Sequence, residues 1–261
     1  MYLVEDVQAS LATQSKAEHR RRQVTSEAAE IVKSFNTWAF KREQPSSLPM
    51  LQAAVARRLA LDLPISFVLY WGKGPRSKAA APEADCLAYL TRLAEKARPK
   101  GGAMPVFTLC LTDTHARLNG HSESSIQQYF GSVRELAARY GFETTLLSRL
   151  VDTADRVPSG DHVIPEDVIT KLVSCAERWY RGEGNAEAGA ITYFKMNLVE
   201  RRAIECHYPD SIFVTFNGSE YQALFPSKLP IFYMYSLRRG HSPKPWFLDE
   251  AGQQFPGATP L

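Results

Sequence analysis

No apolar run in this chain approaches the roughly 20 residues that a membrane-spanning helix needs. The opening Met1-Tyr-Leu-Val-Glu-Asp6 lacks the charged-then-apolar layout of a secretory signal. The expectation is therefore a cytoplasmic protein with no membrane partner. Cysteine is scarce, and Cys86, Cys110, Cys175 and Cys206 are scattered without metal-ligand spacing, mostly within apolar segments. They read as reduced core residues rather than a disulfide framework. His115, His121 and His207 also lack metal-ligand spacing and are expected at the surface or in loops, with no metal bound. Walker and GxGxxG fingerprints are missing, so ATP and dinucleotides gain no support. Neither Ser148 nor any cysteine has an adjacent base signature, which argues against a hydrolase.

Charge of one sign is also lacking. The formal net charge is only +3, below the footprint expected of a nucleic-acid binder. Arg20-Arg21-Arg22, Arg57-Arg58, Arg201-Arg202 and Arg238-Arg239 are dispersed along the chain, whereas backbone binding concentrates its cations in one patch. An RNA- or tRNA-binding module is thus the weaker alternative, together with a noncatalytic partner of a biosynthetic complex.

At 261 residues and 44% hydrophobic content, the chain can bury one substantial α/β core. Residues 1–63 are helical in pattern, with Val24, Ala28, Ile31, Phe35 and Trp38 forming one stripe and Leu48, Leu51, Val55 and Leu59 another. They form an N-terminal helical annex to an α/β domain over 64–261. Ile65–Trp71 is short, aromatic and β-branched, which predicts a buried strand. It runs into Gly72-Lys-Gly-Pro-Arg-Ser-Lys78, and Leu87, Leu90, Ala94 and Ala97 then mark a helix.

A second strand, Pro105–Leu111, ends in Thr112-Asp113-Thr114, and a helix runs from Ser124 to Gly141. Thr144–Leu147 is a third strand candidate, Pro158-Ser-Gly160 a loop, and Pro165 a helix start. Ala186–His207 is helical again. Ser211–Phe216 and Pro230–Leu237 read as strands joined at the Asn217-Gly218 turn and so as antiparallel neighbours. The expected architecture is a Rossmann-like mixed sheet flanked by helices.

A glycine-bearing cationic loop between a strand and a helix is how α/β proteins build anion sites, because helix amides and loop cations share one crevice. Such cations are equally common as solvated turn residues. In the 186–207 helix, Lys195 and Arg202 project near the middle of an arc formed by Ile191, Phe194, Leu198 and Val199. Cations on a core-facing arc need a carboxylate, a route to the rim, or a ligand.

The order of these motifs resembles the isonitrile synthase family, also called the pyoverdine/dityrosine biosynthesis family, from about Ile65 to Phe247. Lys73-Gly-Pro-Arg-Ser-Lys78 and Pro82-Glu-Ala-Asp85 are similar to the family's Lys-Ser-Pro-Asn loop and Pro-Asp-x-x-Glu helix start. Thr112-Asp113-Thr114 stands where the family has Ser-Asp-Gly, with a Tyr129-bearing helix after it. Thr215-Phe216-Asn217 and Pro245-Trp246-Phe247 replace its Ser-Ile-His and Pro-Trp-His, so both family histidines are absent.

The resemblance implies an enzyme that condenses an amino acid's amine with the carbonyl of a pentulose phosphate, without metal or redox cofactor. In that reading Lys73, Arg76, Ser77 and Lys78 bind phosphate, the Arg as a fork and the Lys as point charges. Asp113 is the general acid/base or amine anchor. Lys195 and Arg202 hold a carboxylate or second anion, with Glu200 or Glu205 as partners. Thr215 and Asn217 add neutral hydrogen bonds. The candidate catalytic set is Asp113, Glu200 and Lys195, and a homodimer is left open.

Overall fold

The computed structural model describes residues 2–41, 43–72, 74–75, 78–154, 164–216, 219, 224–225 and 227–234. Helices α1 (Tyr2–Phe35) and α2 (Leu48–Ala60) precede strand β1 (Ser66–Trp71). Then come α3 (Ala81–Ala97), β2 (Val106–Leu111), α4 (Asp113–Leu118), α5 (Glu123–Arg139) and β3 (Glu143–Leu146). Helices α6 (Leu147–Thr153), α7 (Glu166–Trp179) and α8 (Ala186–His207) lead into β4 (Ile212–Thr215) and β5 (Ile231–Tyr233). This is the expected Rossmann-like α/β fold.

The strands form one sheet in the order β3-β2-β1-β4-β5, and every pairing among these strands is parallel. The antiparallel pairing expected of β4 and β5 is not what forms. Val214 and Phe232 lie in parallel register, which a two-residue turn cannot produce, since parallel neighbours need a crossover. Residues 216–230 supply the length for one. The described antiparallel contact is a lone bridge between Lys41 and Met234.

Alternation along the strands divides the core. Phe67, Leu69 and Trp71 of β1, Phe107, Leu109 and Leu111 of β2 and Ile212 and Val214 of β4 join one apolar cluster with buried residues of α1, α2, α3 and α5. Phe35 meets Phe67 and Phe232 edge-on, and Phe67 stacks on Phe107 with centroids 4.6 Å apart. The intervening Val68, Cys110, Phe213, Ile231 and Tyr233 face the opposite way, onto Leu147 and Leu150 of α6 and Ala203 and Ile204 of α8. Helices therefore cover both faces, as a parallel sheet with near-continuous apolar strands demands.

Cap chemistry sets the helix starts. Ser47 accepts from the Met50 amide, Ser122 from that of Ser125 and Asn185 from that of Ala188. Ala28, Ile31, Phe35, Leu51 and Val55 of the two predicted stripes are buried, whereas Trp38 lies beyond the end of α1 and is exposed, with the Lys41 ammonium 5.0 Å from its ring. The Pro158-Ser-Gly160 loop and the predicted strand beyond Met234 lie outside the described residues.

Candidate functional site

Strand β1 leads through α3 to β2 on one side, whereas β4 and β5 lie on its other side. The sheet therefore changes direction between β1 and β4, and the crevice outside the carboxyl ends of those strands is where open α/β sheets hold ligands. The 72–78 loop leaves β1 there. Ala79 at its far end donates its amide to Ser132 Oγ of α5 at 2.7 Å, and Gly74 faces the His121 ring. Lys73, Arg76, Ser77 and Asn217 lie outside the described residues, and Lys78 is exposed.

Helix α4 starts two residues beyond the end of β2, with Thr112 between them. Thr112 ties β2 to β1 by donating its hydroxyl to the Trp71 carbonyl at 2.9 Å. Asp113 is fully buried; its Oδ2 accepts from Arg117 Nη1 at 2.6 Å and its Oδ1 from the Ser148 amide at 3.1 Å. Both carboxylate oxygens are thus engaged in holding α4 to its own next turn and to α6, which fits a clamp better than a proton carrier. Arg117 also bonds Glu123 through Nε at 3.0 Å and Nη2 at 3.1 Å.

Next to the clamp is a polar cluster inside the protein. Glu200 of α8 is fully buried; its Oε2 lies 2.7 Å from His115 Nε2, and its Oε1 accepts the Thr114 hydroxyl. The His115 ring sits between Tyr70 of β1 and Tyr193 of α8, with centroids 5.8 Å and 5.2 Å away. Arg201, also buried, lays its guanidinium 3.9 Å from the Phe213 ring centroid and 5.3 Å from that of Tyr70. Burial, and then the Glu200 charge, holds the Tyr70 phenol well above its ordinary range against the opposing Arg201 charge. The same two influences push up the Cys110 thiol.

The register carries Thr215 to this cluster. Leu69 pairs with Val214, so Tyr70 and Thr215 follow at the strand ends, on the face that carries Phe213. Asp113, Glu200 and Thr215 of the sequence candidates therefore share one end of the sheet. Lys195 and Arg202 do not join them. Both are exposed, and the inward face of α8 carries Phe194, Asn197, Glu200, Arg201, Ala203 and Ile204.

The expected core-facing arc was displaced because apolar residues occur nearly all round α8, leaving no narrow stripe for a projection to find. Glu200 takes His115 and Thr114 as partners instead of those cations, and Glu205 accepts from the Lys228 amide at 2.6 Å. His115 was expected at the surface, yet its side chain is only 16% exposed. The signal that could have found it is its position two residues after Asp113, at a strand-to-helix junction.

His121 is half-buried beside the loop, and His207 is exposed, bonded to Thr153 Oγ1 at 3.0 Å. Cys86 and Cys110 are buried free thiols, Cys206 is exposed rather than in the core, and the Cys175 side chain lies outside the described residues. Among the described residues, no helix is long and apolar enough to cross a membrane, and no group of His, Cys, Asp or Glu could hold a metal ion.

No family model matches the sequence, and no curated protein does. Its fold is similar to that of the PvcA protein from Pseudomonas aeruginosa, with a TM-score of 0.60 over 84% of this chain and 87% of that one. Sequence identity between the two is 14%, which supports a distant relationship in fold.

Proposed function

We propose that this chain is an isonitrile-synthase-like biosynthetic enzyme that joins the amine of an amino acid to the carbonyl of a pentulose phosphate in the β1/β4 crevice. The observation that carries this reading is the reversal of strand order at β1, because the cationic 72–78 loop leaves the sheet at that very place. The resemblance in motif order supplies the reaction class, and the fold shared with PvcA agrees with a distant relationship.

The chemistry is redox-neutral. The amine nitrogen adds to the carbonyl carbon, the former carbonyl oxygen takes a proton and the nitrogen sheds one. The nitrogen's second proton then passes to the carbinolamine hydroxyl, which leaves as water while a C=N bond forms. Such a reaction needs a phosphate anchor, a hold on the amino acid and a group that moves protons. Lys73, Arg76, Ser77 and Lys78 form the proposed phosphate anchor, and Thr215, at the end of β4, is proposed with Asn217 to supply neutral hydrogen bonds. Asp113, clamped to Arg117 and the Ser148 amide, keeps the floor between them rigid. Lys195 and Arg202, exposed on α8, have no part in this arrangement.

The test is incubation with amino acids and a panel of pentose and pentulose phosphates, followed by mass spectrometry. A product one water lighter than an amine–sugar pair, or one descending from it, is expected. No new product from any pair retires the synthase reading. Lys73→Ala with Arg76→Ala should abolish the thermal stabilisation given by a pentulose phosphate. Unchanged stabilisation removes the loop from the site.

A further inference from the structure

We infer that His115 is the proton-transfer residue of this crevice and that Glu200 is the carboxylate that orients its ring. The identity of the substrate rests on the proposed function, but the geometry does not. A carboxylate withdrawn from water is tolerated when hydrogen bonds replace its hydration. Glu200 has that compensation from Thr114 and His115, consecutive residues of α4.

With Glu200 ionised, His115 Nε2 carries the hydrogen and points inward, so Nδ1 keeps a lone pair. Among the described residues Nδ1 has no hydrogen-bond partner, while the side chain retains 16% exposure. That is the disposition of a base rather than of a buried staple, in which both ring nitrogens would be occupied.

A second observation points to a ligand at the same place. Among the described residues the buried Tyr70 hydroxyl has no hydrogen-bond partner, and its ring packs against that of His115. An unsatisfied buried hydroxyl costs about 1–3 kcal/mol, a cost relieved when a polar atom of a substrate occupies the crevice beside it. In the condensation, His115 Nδ1 accepts the proton shed by the attacking nitrogen. The imidazolium is held by Glu200 and returns that proton to the former carbonyl oxygen, giving the carbinolamine; the second nitrogen proton then follows the same route onto the hydroxyl, which departs as water as the C=N bond forms. No electrons change owner, and His115 ends as it began. Glu200 touches no reacting atom and is a positioning residue.

Nitrogen-15 spectra of the histidine rings, recorded on the intact chain in mildly alkaline buffer, should show His115 protonated at Nε2 and bare at Nδ1. The opposite tautomer overturns the inference whatever the substrate. Adding the amino acids and pentulose phosphates in turn should shift the His115 Nδ1 resonance and leave His207 unmoved; no shift with any of them also overturns it.

If wild type forms product, His115→Gln, whose amide can still meet Glu200, should lower kcat by about 100-fold or more with KM and phosphate-induced stabilisation retained. Turnover near that of wild type sinks the assignment. Glu200→Gln should lower kcat less and mix the His115 tautomers. If wild type forms no product, the synthase reading falls, and the ring spectra still decide the pair.

Discussion

Among the described residues, the two faces of the sheet each bury one glutamate, Glu83 and Glu200, and the two are treated differently. On the face covered by α1, α2, α3 and α5, Glu83 lies in a chain of hydrogen bonds that reaches the start of α3. Trp71 Nε1 donates to the Tyr129 hydroxyl at 3.3 Å, that hydroxyl donates to Glu83 Oε1 at 3.1 Å, and Oε2 accepts from the Ala80 amide at 2.9 Å. On the other face, Glu200 holds a histidine whose second nitrogen, among the described residues, is unoccupied, beside a phenol with no partner among them. A carboxylate bonded to the amide at a helix start holds that helix in place; one bonded to a histidine at the carboxyl end of a parallel sheet is disposed to meet a ligand.

The sharpest test of this contrast begins with the apolar face. Phe67, wholly buried between Phe35 and Phe107, should cost about 3–5 kcal/mol when replaced by alanine, read as a fall in the denaturant midpoint. Glu83→Ala removes the acceptor of the Ala80 amide and of the Tyr129 hydroxyl and should cost about 2–4 kcal/mol.

Asp113→Asn weakens the Arg117 pair and should cost about 1–2 kcal/mol, seen in the same unfolding curves. Glu200→Gln retains an amide that can meet Thr114 and His115, so stability should change by less than about 1 kcal/mol while turnover falls. A Glu200→Gln protein that unfolds as readily as Glu83→Ala would break the comparison and make both glutamates structural.

The smallest expected effect is on alkaline stability. Burial, with Cys110 and Glu143 nearby, pushes the Tyr208 phenol up to about 12, and Tyr70 shifts the same way. An unfolded phenol titrates near pH ~10. Below that, both states hold the proton and the contribution is complete. Above it, the unfolded chain releases its proton first, so stability falls as pH rises toward 12. Chemical unfolding across that window should show the fall, and Tyr208→Phe should flatten it. An unchanged slope would remove Tyr208 as the cause.

Several elements were readable because their signals are local. Both leading strands announce themselves by short aromatic and β-branched runs, and the place of the 72–78 loop follows from the first of them. Asp113 and Thr215 were identifiable as strand-end residues. The inward face of α8 was not, since its apolar residues surround the helix and the choice between Arg201 and Arg202 depends on what packs opposite. His115 was missed for a related reason: nothing within α4 says that a carboxylate some 85 positions away will bond it. The parallel pairing of β4 and β5 was hidden because an Asn-Gly pair is a strong local turn signal, and only the crossover length and the neighbouring strands outweigh it.

What the amino-acid order by itself determined is the order of the strands and of the longer helices, the cationic loop after β1 and the helices before it. These depend on periodicity, caps and turn residues within a few positions of one another. Tertiary structure alone decided the strand order, the direction of β5 and the meeting of Glu200 with His115 and Tyr70. Those follow from burial: one carboxylate carried by α8 into the interior must find hydrogen bonds there, and the groups placed to supply them come from α4, distant in the chain and adjacent at the carboxyl end of the sheet.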